Sequence, residues 1–312
     1  MDITITSSYE GRILRDWLIN NNFSTNQIKR LKNLERGILI NGEHATVRYI
    51  LKSGDVLSLQ LNDENTNPML IPTKMPLEII YEDDNMLAVN KPAGIPTHPS
   101  HGHFDDTLAN GLAYIFEKRG EPFIFRAVNR LDRGTSGIVL IAKTSKAAFE
   151  LGDLMQNGKI QKTYLAIVNG SPSQPSGIID KPIRRVGESI ITREVCDENA
   201  LSSKQAVTKY HTELRFGDHS LIRAEPITGR THQIRVHLAY IGCPIAGDWL
   251  YGTSETKPTE TDKQFDRPAL HCRSLKILFN EKALELYAEL PNDFLRCIGS
   301  EQNKASETIS SD

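Results

Sequence analysis

The sequence has few cysteines, no long apolar run and almost no net charge. Its four cysteines among 312 residues are widely spaced and include no C-x-x-C pair, so neither a disulfide framework nor a cysteine zinc site is indicated. No apolar run approaches the ~20 residues of a membrane span, and no charged segment followed by an apolar one opens the chain. We therefore expect an unprocessed cytoplasmic protein without membrane contact.

The formal net charge of -2 argues against indiscriminate binding to nucleic acid, but the charges are unevenly distributed. Residues 12–52 contain eight Lys or Arg and three Asp or Glu, whereas residues 55–84 contain seven acids and one lysine. This contrast predicts that the basic N-terminal part forms a module separate from the rest of the chain.

The basic module has the pattern of two short helices followed by short strands. Ser24 and Gln27 have the spacing of a capping box that opens the second helix, and Gly37 ends that helix. An Asn-Gly turn at 41–42 and a Ser-Gly turn at 53–54 separate the expected strands. These strands are expected at 38–40, around 47–50 and at 56–61, and the apolar faces of the helices comprise Ile13, Leu14, Trp17, Leu18, Ile28, Leu31 and Leu34.

Two polar segments divide the chain further. Residues 62–76 contain three prolines, mixed polarity and no sustained period, which is typical of a linker that lets two domains move relative to each other. Residues 298–312 are polar and lack a core face, so we expect a disordered tail there. The predicted organisation is therefore a small domain over 1–61, a linker over 62–76, a large domain over 77–297 and a tail over 298–312.

The large domain has many short strand patterns and few helical ones. Because the strands outnumber the helices and do not alternate with them, the pattern predicts an α+β fold with a mainly antiparallel mixed sheet, joined to a small N-terminal α/β domain. The helical patterns cover roughly 107–118, 145–156 and 231–240, and the strands 77–81, 86–89, 126–129, 138–142, 164–168, 206–214, 221–224, 275–279 and 284–290.

Residues 127–143 read AVNRLDRGTSGIVLIAK and place one carboxylate, Asp132, between Arg130 and Arg133. The two arginines favour the ionised carboxylate, and the glycines that follow allow a sharp turn or a close approach of the backbone to a ligand. Such a carboxylate suits nucleophilic chemistry. The alternative is a surface hairpin followed by a buried strand, and the residues of this segment alone leave both interpretations open.

Three other segments accompany this motif in a fixed order. They are residues 91–108, residues 162–169 (KTYLAIVN) and residues 226–251 (PITGRTHQIRVHLAYIGCPIAGDWLY). With RLDRGTSG they resemble the RluA class of RNA pseudouridine synthases over about residues 77–295. The resemblance implies that Asp132 is the catalytic aspartate, that Tyr164 lies in the active site, and that Arg235 pairs with the aspartate.

The resemblance also implies an enzyme that needs no cofactor and no metal, because isomerisation of uridine involves no redox change. Asp132 would add to the anomeric carbon of the sugar or assist elimination to a glycal, and both routes stay open. Tyr164 would stack on the base, and its hydroxyl could relay a proton. Arg130 would replace the flipped base inside the RNA helix, with Arg133 as a further RNA contact. Many members have histidine where this chain has Asn129, which leaves the substrate open.

The N-terminal pattern resembles the small RNA-binding fold named after ribosomal protein S four. Its second helix carries basic residues beside the apolar stripe, and the resemblance turns what is otherwise an ordinary solvated face into an expected RNA contact. The partner is then structured RNA, with ribosomal RNA favoured over transfer RNA, and the protein is expected to be a monomer. The expected RNA-binding residues of this module are Lys29, Arg30, Lys32 and Arg36.

Three other classes of function compete with this interpretation. His98, His101 and His103 suggest a metal hydrolase, but they lie in a Pro- and Gly-containing loop without helical ligand spacing. A glycosidase needs two suitably separated acids, and only Asp132 stands out. A non-catalytic RNA-binding or ribosome-assembly factor fits the N-terminal module, but it does not account for the aspartate, tyrosine and arginine motifs.

Overall fold

The computed structural model describes residues 2–21, 23, 25–60, 70–187, 189, 191–252 and 264–299. Within these ranges the apolar side chains form one core in the N-terminal module and a larger one around the main sheet. Three features expected from the sequence lie wholly or partly outside the described residues. They are the Ser24 cap, positions 62–69 of the linker and positions 300–312 of the tail.

The N-terminal module is a four-stranded antiparallel sheet covered by two helices, and its strand order is β1-β4-β2-β3. Leu14, Trp17 and Leu18 are buried on the first helix, as expected from their spacing, whereas Ile13 at its start is exposed. The elements are β1 (Asp2–Thr4), α1 (Leu14–Asn20), α2 (Thr25–Asn33), β2 (Ile38–Ile40), β3 (Glu43–His44) and β4 (Val56–Leu59).

The prediction of a strand around 47–50 is wrong, because the carbonyl groups of this segment bind the start of α1. The backbone oxygens of Val47 and Tyr49 accept hydrogen bonds at 2.8 Å from the N–H groups of Arg15 and Leu14 at the start of α1. The first N–H groups of a helix have no partner inside the helix, so this segment supplies one instead of joining the sheet. The second helix also ends at Asn33, before Gly37.

The large domain contains a nine-stranded sheet in which every neighbouring pair is antiparallel except β7 and β14. Its main strand order is β5-β6-β7-β14-β8-β13-β12-β9, and β15 pairs with β14. In chain order the elements are β5 (Glu78–Glu82), β6 (Met86–Lys91), α3 (Leu108–Arg119), β7 (Ser136–Ala142), α4 (Ser145–Gln156), β8 (Gln161–Asn169), β9 (Ser176–Asp180), β10 (Ile183–Arg185), β11 (Arg193–Val195), β12 (Val207–Phe216), β13 (His219–Pro226), α5 (Gln233–Tyr240), β14 (Leu270–Phe279) and β15 (Lys282–Tyr287).

The predicted α+β class with a mainly antiparallel mixed sheet is confirmed. The three helices occur where the apolar periodicity placed them, and Thr107 and Thr144 cap two of them through their side chains. Strands β9, β10 and β11 were not predicted, and β10 and β11 form a separate two-stranded hairpin. Residues 292–299 are helical and Ile298 packs against the main core, so ordered structure continues past the predicted boundary at 297.

The expected strand at 126–129 is replaced by an irregular segment that runs beside β7. Only Ala127 forms a regular bridge, with Ile141. The side chain of Asn129 takes over the next hydrogen bonds: its Oδ1 accepts from the Leu140 N–H at 2.8 Å, and its Nδ2 donates to the Ile138 carbonyl at 3.1 Å. The amide therefore holds the chain against β7 just before the predicted catalytic motif.

The two modules contact each other through α4. Phe149 packs beside Trp17 and Phe23, with ring centroids 5.7 Å and 6.2 Å apart, and Gln156 Nε2 donates a hydrogen bond to the Asn20 carbonyl. One aromatic side chain of the large domain thus belongs to the core of the small one. None of the helices within the described ranges combines the length and apolar character needed to cross a membrane.

Candidate active site

The backbone around Asp132 is fixed from two sides. The Thr97 hydroxyl donates to the Leu131 carbonyl at 3.0 Å and accepts from the Leu131 N–H at 3.2 Å, and Thr97 itself is buried. The Thr135 N–H donates to the Asp132 carbonyl at 3.0 Å and closes the turn. The carboxylate is held by this frame while its side chain stays 33% exposed, so it can reach a ligand.

Gly137 lets strand β7 begin directly after this turn. It has a φ of +109°, and a Cβ on it would lie 2.2 Å from the carbonyl oxygen of Cys272. This close approach is the parallel contact between β7 and β14, in which Gly137 pairs with Cys272. A side chain at this position would separate the two strands that support the Asp132 turn.

Arg235 on α5 faces the carboxylate. Its Nη1 lies 3.5 Å from Asp132 Oδ2, while its Nε and Nη2 donate to both oxygens of the buried Asp248 at 2.7 Å and 2.8 Å. Burial lowers the pKa of Arg235, but the hydrogen bonds and charge of Asp248 and the charge of Asp132 outweigh it, so the pKa is raised. The guanidinium is therefore a permanent positive charge at a fixed position beside Asp132.

The expected contribution of the flanking arginines is not found. Neither Arg130 nor Arg133 forms an ion pair with Asp132 among the described residues. Arg133 instead donates from Nε to the Gly94 carbonyl at 2.8 Å, and its own carbonyl accepts from the Gly94 N–H at 2.9 Å. Arg130 is exposed, and its charge helps, after burial, to lower the pKa of His98. Neighbours along a tight turn point apart, so the counter-charge comes from another element.

Tyr164 lies on β8, between β13 and β14, and is 7% exposed. Burial raises the pKa of its hydroxyl well above the ordinary value, and a hydrogen bond with Cys272 and the charge of Asp132 act in the same direction. The phenol therefore keeps its proton at neutral pH. It can offer an aromatic face and a hydrogen-bond donor, whereas a role as a free phenolate base is disfavoured.

Lys91 is a buried lysine that the sequence analysis did not select. Its Nζ donates to the carbonyl groups of Pro92 and Ile95 at 2.9 Å and to that of Arg133 at 3.4 Å. Burial lowers its pKa to about 7, and the charge of Asp132 opposes this shift. The side chain joins the 92–95 loop to the turn that carries Asp132. The feature of the sequence that could have indicated Lys91 is its position at the end of the strand β6.

Asp248, His232 and Tyr251 were also missed, although all three lie within or beside the third motif. His232 Nε2 is 3.8 Å from Asp132 Oδ2, and the guanidinium of Arg235 lies 4.9 Å from the centre of the Tyr251 ring. Their residue types are ordinary for a surface loop. Only the packing of α5 against the following segment brings them to the carboxylate.

The other candidate groups have contacts of their own. His103 Nδ1 contacts Asp106 at 2.6 Å, and the ring of His98 packs beside Phe125. Among the residues that the structure describes, no group of three or more His, Cys, Asp or Glu could hold a metal ion. The basic residues of the N-terminal module are exposed on or just after α2, on the side away from its buried apolar stripe: Lys29, Arg30, Lys32 and Arg36.

Comparison with known proteins identifies the family. Residues 85–240 match the family model described as RNA pseudouridylate synthase. The chain is 36% identical to the uncharacterized RNA pseudouridine synthase YjbO of Bacillus subtilis, over 85% of this chain and 90% of that protein. It is 34% identical to the ribosomal large subunit pseudouridine synthase D of Vibrio cholerae, over 94% and 92% of the two chains.

Two further similarities are informative. The mitochondrial tRNA pseudouridine(32) synthase of Saccharomyces cerevisiae is 34% identical over 72% of this chain and 47% of that protein. The structure of human RNA Pseudouridylate Synthase Domain Containing 4 superposes with a TM-score of 0.59 at 26% identity, covering 72% of this chain and 92% of that chain. The sheet, the Asp132 turn and these matches agree, and the chain belongs to the RNA pseudouridylate synthase family as an RNA pseudouridine synthase.

Proposed function

We propose that this enzyme isomerises specific uridines of structured RNA, foremost ribosomal RNA, with Asp132 as its nucleophile. The observation that carries the proposal is a partly exposed carboxylate on a rigid turn beside a buried, permanently charged guanidinium. The reaction breaks the glycosidic bond at N1 of uracil, rotates the base and joins C5 to the same sugar carbon. The hydrogen on C5 leaves as a proton and N1 takes up another, so the composition of the RNA is unchanged and no electrons are exchanged with a cofactor.

The arrangement assigns a separate task to each group. Asp132 adds to the anomeric carbon or assists elimination to a glycal, and either route uses its negative charge. Arg235 orients the carboxylate with a fixed positive charge, since its own position is held by Asp248. Tyr164 offers its ring to the base and its hydroxyl as a donor, in keeping with its raised pKa.

The target base must leave the RNA stack, which costs a few kcal/mol. Arg130 is our candidate for the side chain that fills the gap, because it is exposed and adjoins the Asp132 turn. Arg133 is anchored through Nε to the 92–95 loop, so we assign it a contact with phosphate and no insertion. A guanidinium suits both tasks because it stacks and also pairs with phosphate.

We further propose that residues 1–61 form an S-four-like RNA-binding domain joined by the 62–76 linker. The exposed basic residues of α2 support this proposal, as does the module's small sheet with two helices. The name of the Vibrio cholerae relative favours ribosomal RNA, and that of the yeast relative keeps transfer RNA as the second candidate. A monomer in the cytoplasm remains a prediction.

The first prediction tests Asp132 as the nucleophile. Asp132→Asn keeps the shape of the side chain but removes its charge, so we expect RNA binding to persist and tritium release from C5-labelled uridine RNA to fall at least about a thousandfold, or about 4 kcal/mol. Asp84→Asn, at an exposed position on another loop, is the matched control and should match the wild type. Activity within tenfold for Asp132→Asn would remove the proposed role.

Pseudouridine mapping identifies the RNA substrate. Total RNA from cells with and without the protein is compared, and the purified enzyme is then given ribosomal or transfer RNA. We expect sites that depend on the enzyme in ribosomal RNA and none in transfer RNA. The reverse pattern would keep the chemistry and replace the substrate.

A further inference from the structure

The two tryptophans of the chain differ sharply in exposure. Trp17 is 2% exposed within the core of the N-terminal module, whereas Trp249 is 64% exposed. Tryptophan is highly buried on average, because its indole ring is one of the largest apolar surfaces that a side chain offers. A single exposed apolar side chain is nevertheless ordinary on a protein surface. The position of Trp249 and the support of its backbone therefore decide whether its exposure has a use.

Trp249 lies beside the active site. It directly follows Asp248, whose carboxylate holds Nε and Nη2 of Arg235. Two positions after Trp249, the ring of Tyr251 lies 4.9 Å from the guanidinium of the same arginine. Arg235 Nη1 in turn faces Asp132 at 3.5 Å. Counted through these contacts, with consecutive Cα atoms ~3.8 Å apart, the backbone of Trp249 lies within about 16 Å of the Asp132 carboxylate.

The turn that carries Trp249 is held by hydrogen bonds on both sides of this residue. The carbonyl of Asp248 accepts from the N–H groups of Tyr251 at 3.3 Å and of Gly252 at 2.7 Å. Its Oδ1 accepts from the Leu250 N–H at 3.2 Å. Because the backbone on each side of the ring is already fixed, a ligand that covers the ring has little conformational entropy to remove.

The exposed apolar surface of this turn has the size of one nucleobase contact. Among the described residues 248–252, Trp249 and Leu250 are the exposed large apolar side chains, and together they expose on the order of 200 Å². A stable protein interface covers about 800 Å² on each partner. A base needs one aromatic face, and proteins commonly hold unpaired RNA bases by stacking them on exposed aromatic rings. The size of the surface therefore favours a base over a protein partner.

The surroundings of Asp132 complement the rest of a nucleotide. Arg130 and Arg133 are exposed on the turn that carries the carboxylate, and guanidinium groups pair with phosphate. An RNA that places a uridine at Asp132 extends over the surface around this carboxylate, because the flanking nucleotides are covalently joined to the target. Trp249 supplies the apolar face that this basic surface otherwise lacks.

We propose that the ring of Trp249 stacks on an unpaired base a few nucleotides from the target uridine and thereby helps to select and hold the RNA substrate. This inference rests on the proposed placement of the target uridine at Asp132. Stacking on an aromatic ring tolerates every base, since each has a π face. Trp249 therefore selects for an unpaired base at a fixed distance from the target, and it acts on binding, separately from the bond-making steps.

The second prediction is a loss of RNA affinity when Trp249 is replaced. The probe is an RNA oligonucleotide that carries the uridine found by pseudouridine mapping, and all variants are made in the inactive Asp132→Asn protein. Trp249→Ala and Trp249→Leu should each raise the Kd roughly fivefold to a hundredfold, the effect of one stacked base. Trp249→Phe keeps an aromatic face and should retain most of the affinity. Tyr287→Ala, at another exposed aromatic position, is the matched control and should match the parent protein.

A series of abasic RNAs identifies the stacked base. In each RNA one nucleotide near the target uridine keeps its ribose and phosphate but lacks its base. One of these RNAs should bind the parent protein as weakly as intact RNA binds Trp249→Ala, and Trp249→Ala should lose no further affinity for it. Losses that add at every abasic position would overturn the stacking, as would an unchanged affinity for Trp249→Ala.

Tryptophan fluorescence gives an independent readout. Because Trp249 is exposed and Trp17 is buried, acrylamide should quench mainly Trp249 in the free protein, and bound RNA should protect it. The Trp249→Phe protein should lose both the quenching and the protection. Protection that appears at high protein concentration without RNA would assign the ring to self-association and overturn the inference. Since affinity and fluorescence require no turnover, failure of the stacking is distinguishable from failure of Asp132 as nucleophile.

Discussion

Two arginine–aspartate pairs flank the active site and differ in how each uses its third nitrogen. Arg235 binds Asp248 through Nε and Nη2, and Arg267 binds Asp293 through the same two nitrogens at 2.8 Å and 3.0 Å. Both arginine side chains are 9% exposed. The remaining nitrogen, Nη1, points to the carboxylate of Asp132 in the first pair.

In the second pair Nη1 serves the backbone. It donates to the carbonyl groups of Gly134 and Pro268 at 3.1 Å and of Leu270 at 3.3 Å. Arg267 thus ties the turn after Asp132 to the start of β14, whereas Arg235 reserves its charge for the reacting carboxylate. Both arginines bind an aspartate through Nε and Nη2, but Arg267 holds a backbone turn and Arg235 orients a carboxylate. The two uses differ only in what Nη1 contacts.

The third prediction removes each arginine–aspartate pair in turn and has the largest expected effect. Arg235→Met removes the partner of the buried Asp248, and Arg267→Met removes that of the partly buried Asp293 together with three hydrogen bonds to backbone carbonyl groups. Each change should therefore lower the free energy of unfolding by about 3–5 kcal/mol. Adding Asp248→Leu should restore most of that stability, whereas adding Asp293→Leu should restore only part of it, because the hydrogen bonds from Arg267 to the backbone carbonyl groups stay lost.

Urea unfolding and single-turnover rates are measured on all four proteins. Activity should return in part with the Arg267–Asp293 replacement, which leaves Arg235 beside Asp132 but loosens the turn, and should stay lost with the Arg235–Asp248 replacement. Full activity in both would make the pairs equivalent.

The fourth prediction concerns the surroundings of Arg267, the arginine that holds the backbone, where His271 is buried. Burial lowers the pKa of His271 to about 4, and the neutral ring accepts from the Ser136 hydroxyl while Nε2 contacts the Ala288 carbonyl. The unfolded chain takes up the proton first, so the contribution of His271 is complete above pH 6.5 and is lost as the pH falls toward 4. The loss should be about 3 kcal/mol.

Urea unfolding between pH 4 and 7 measures this slope. His271→Gln should flatten it, and His211→Gln, an exposed histidine on β12, should leave it unchanged. A slope that is identical in wild type and His271→Gln would assign the acid sensitivity to other groups.

The fifth prediction has the smallest expected effect and separates the two aspartates. Asp248→Asn and Asp293→Asn keep an acceptor but remove its charge, so each should cost about 1–3 kcal/mol of stability. Asp248→Asn should also slow the single-turnover rate, because Arg235 loses its fixed orientation toward Asp132. Asp293→Asn should leave that rate unchanged. Equal rates for the two variants would contradict the division of roles.

Local pattern was sufficient for the regular parts of the fold. The apolar periods at 107–118 and 145–156 predicted α3 and α4, because an amphipathic helix must bury one face whatever its partner is. The pattern failed at 47–50 and 126–129, where the apolar residues are typical of a strand. The first segment serves the start of α1, and in the second the Asn129 side chain replaces ladder bonds. Neither partner can be inferred from the segment itself.

The candidate site divides in the same way. The motif around Asp132 and the resemblance it supports were enough to predict the carboxylate, Tyr164 and Arg235, and the roles of these three residues remain to be tested. The flanking arginines looked like the counter-charges because they are adjacent in the chain. The tight turn directs their side chains elsewhere, and Arg133 is held at Gly94.

Motif and apolar period together specify the family, the sheet-rich fold class and the residue types of the site, because these properties are local to short segments of the chain. The choice of the charge that faces Asp132 belongs to the tertiary structure, because it depends on how α5 packs and on the buried Asp248 that holds Arg235. The same is true of Phe149, which completes the core of the N-terminal module. Contacts between distant segments are set by the packing of whole elements, and no local pattern encodes them.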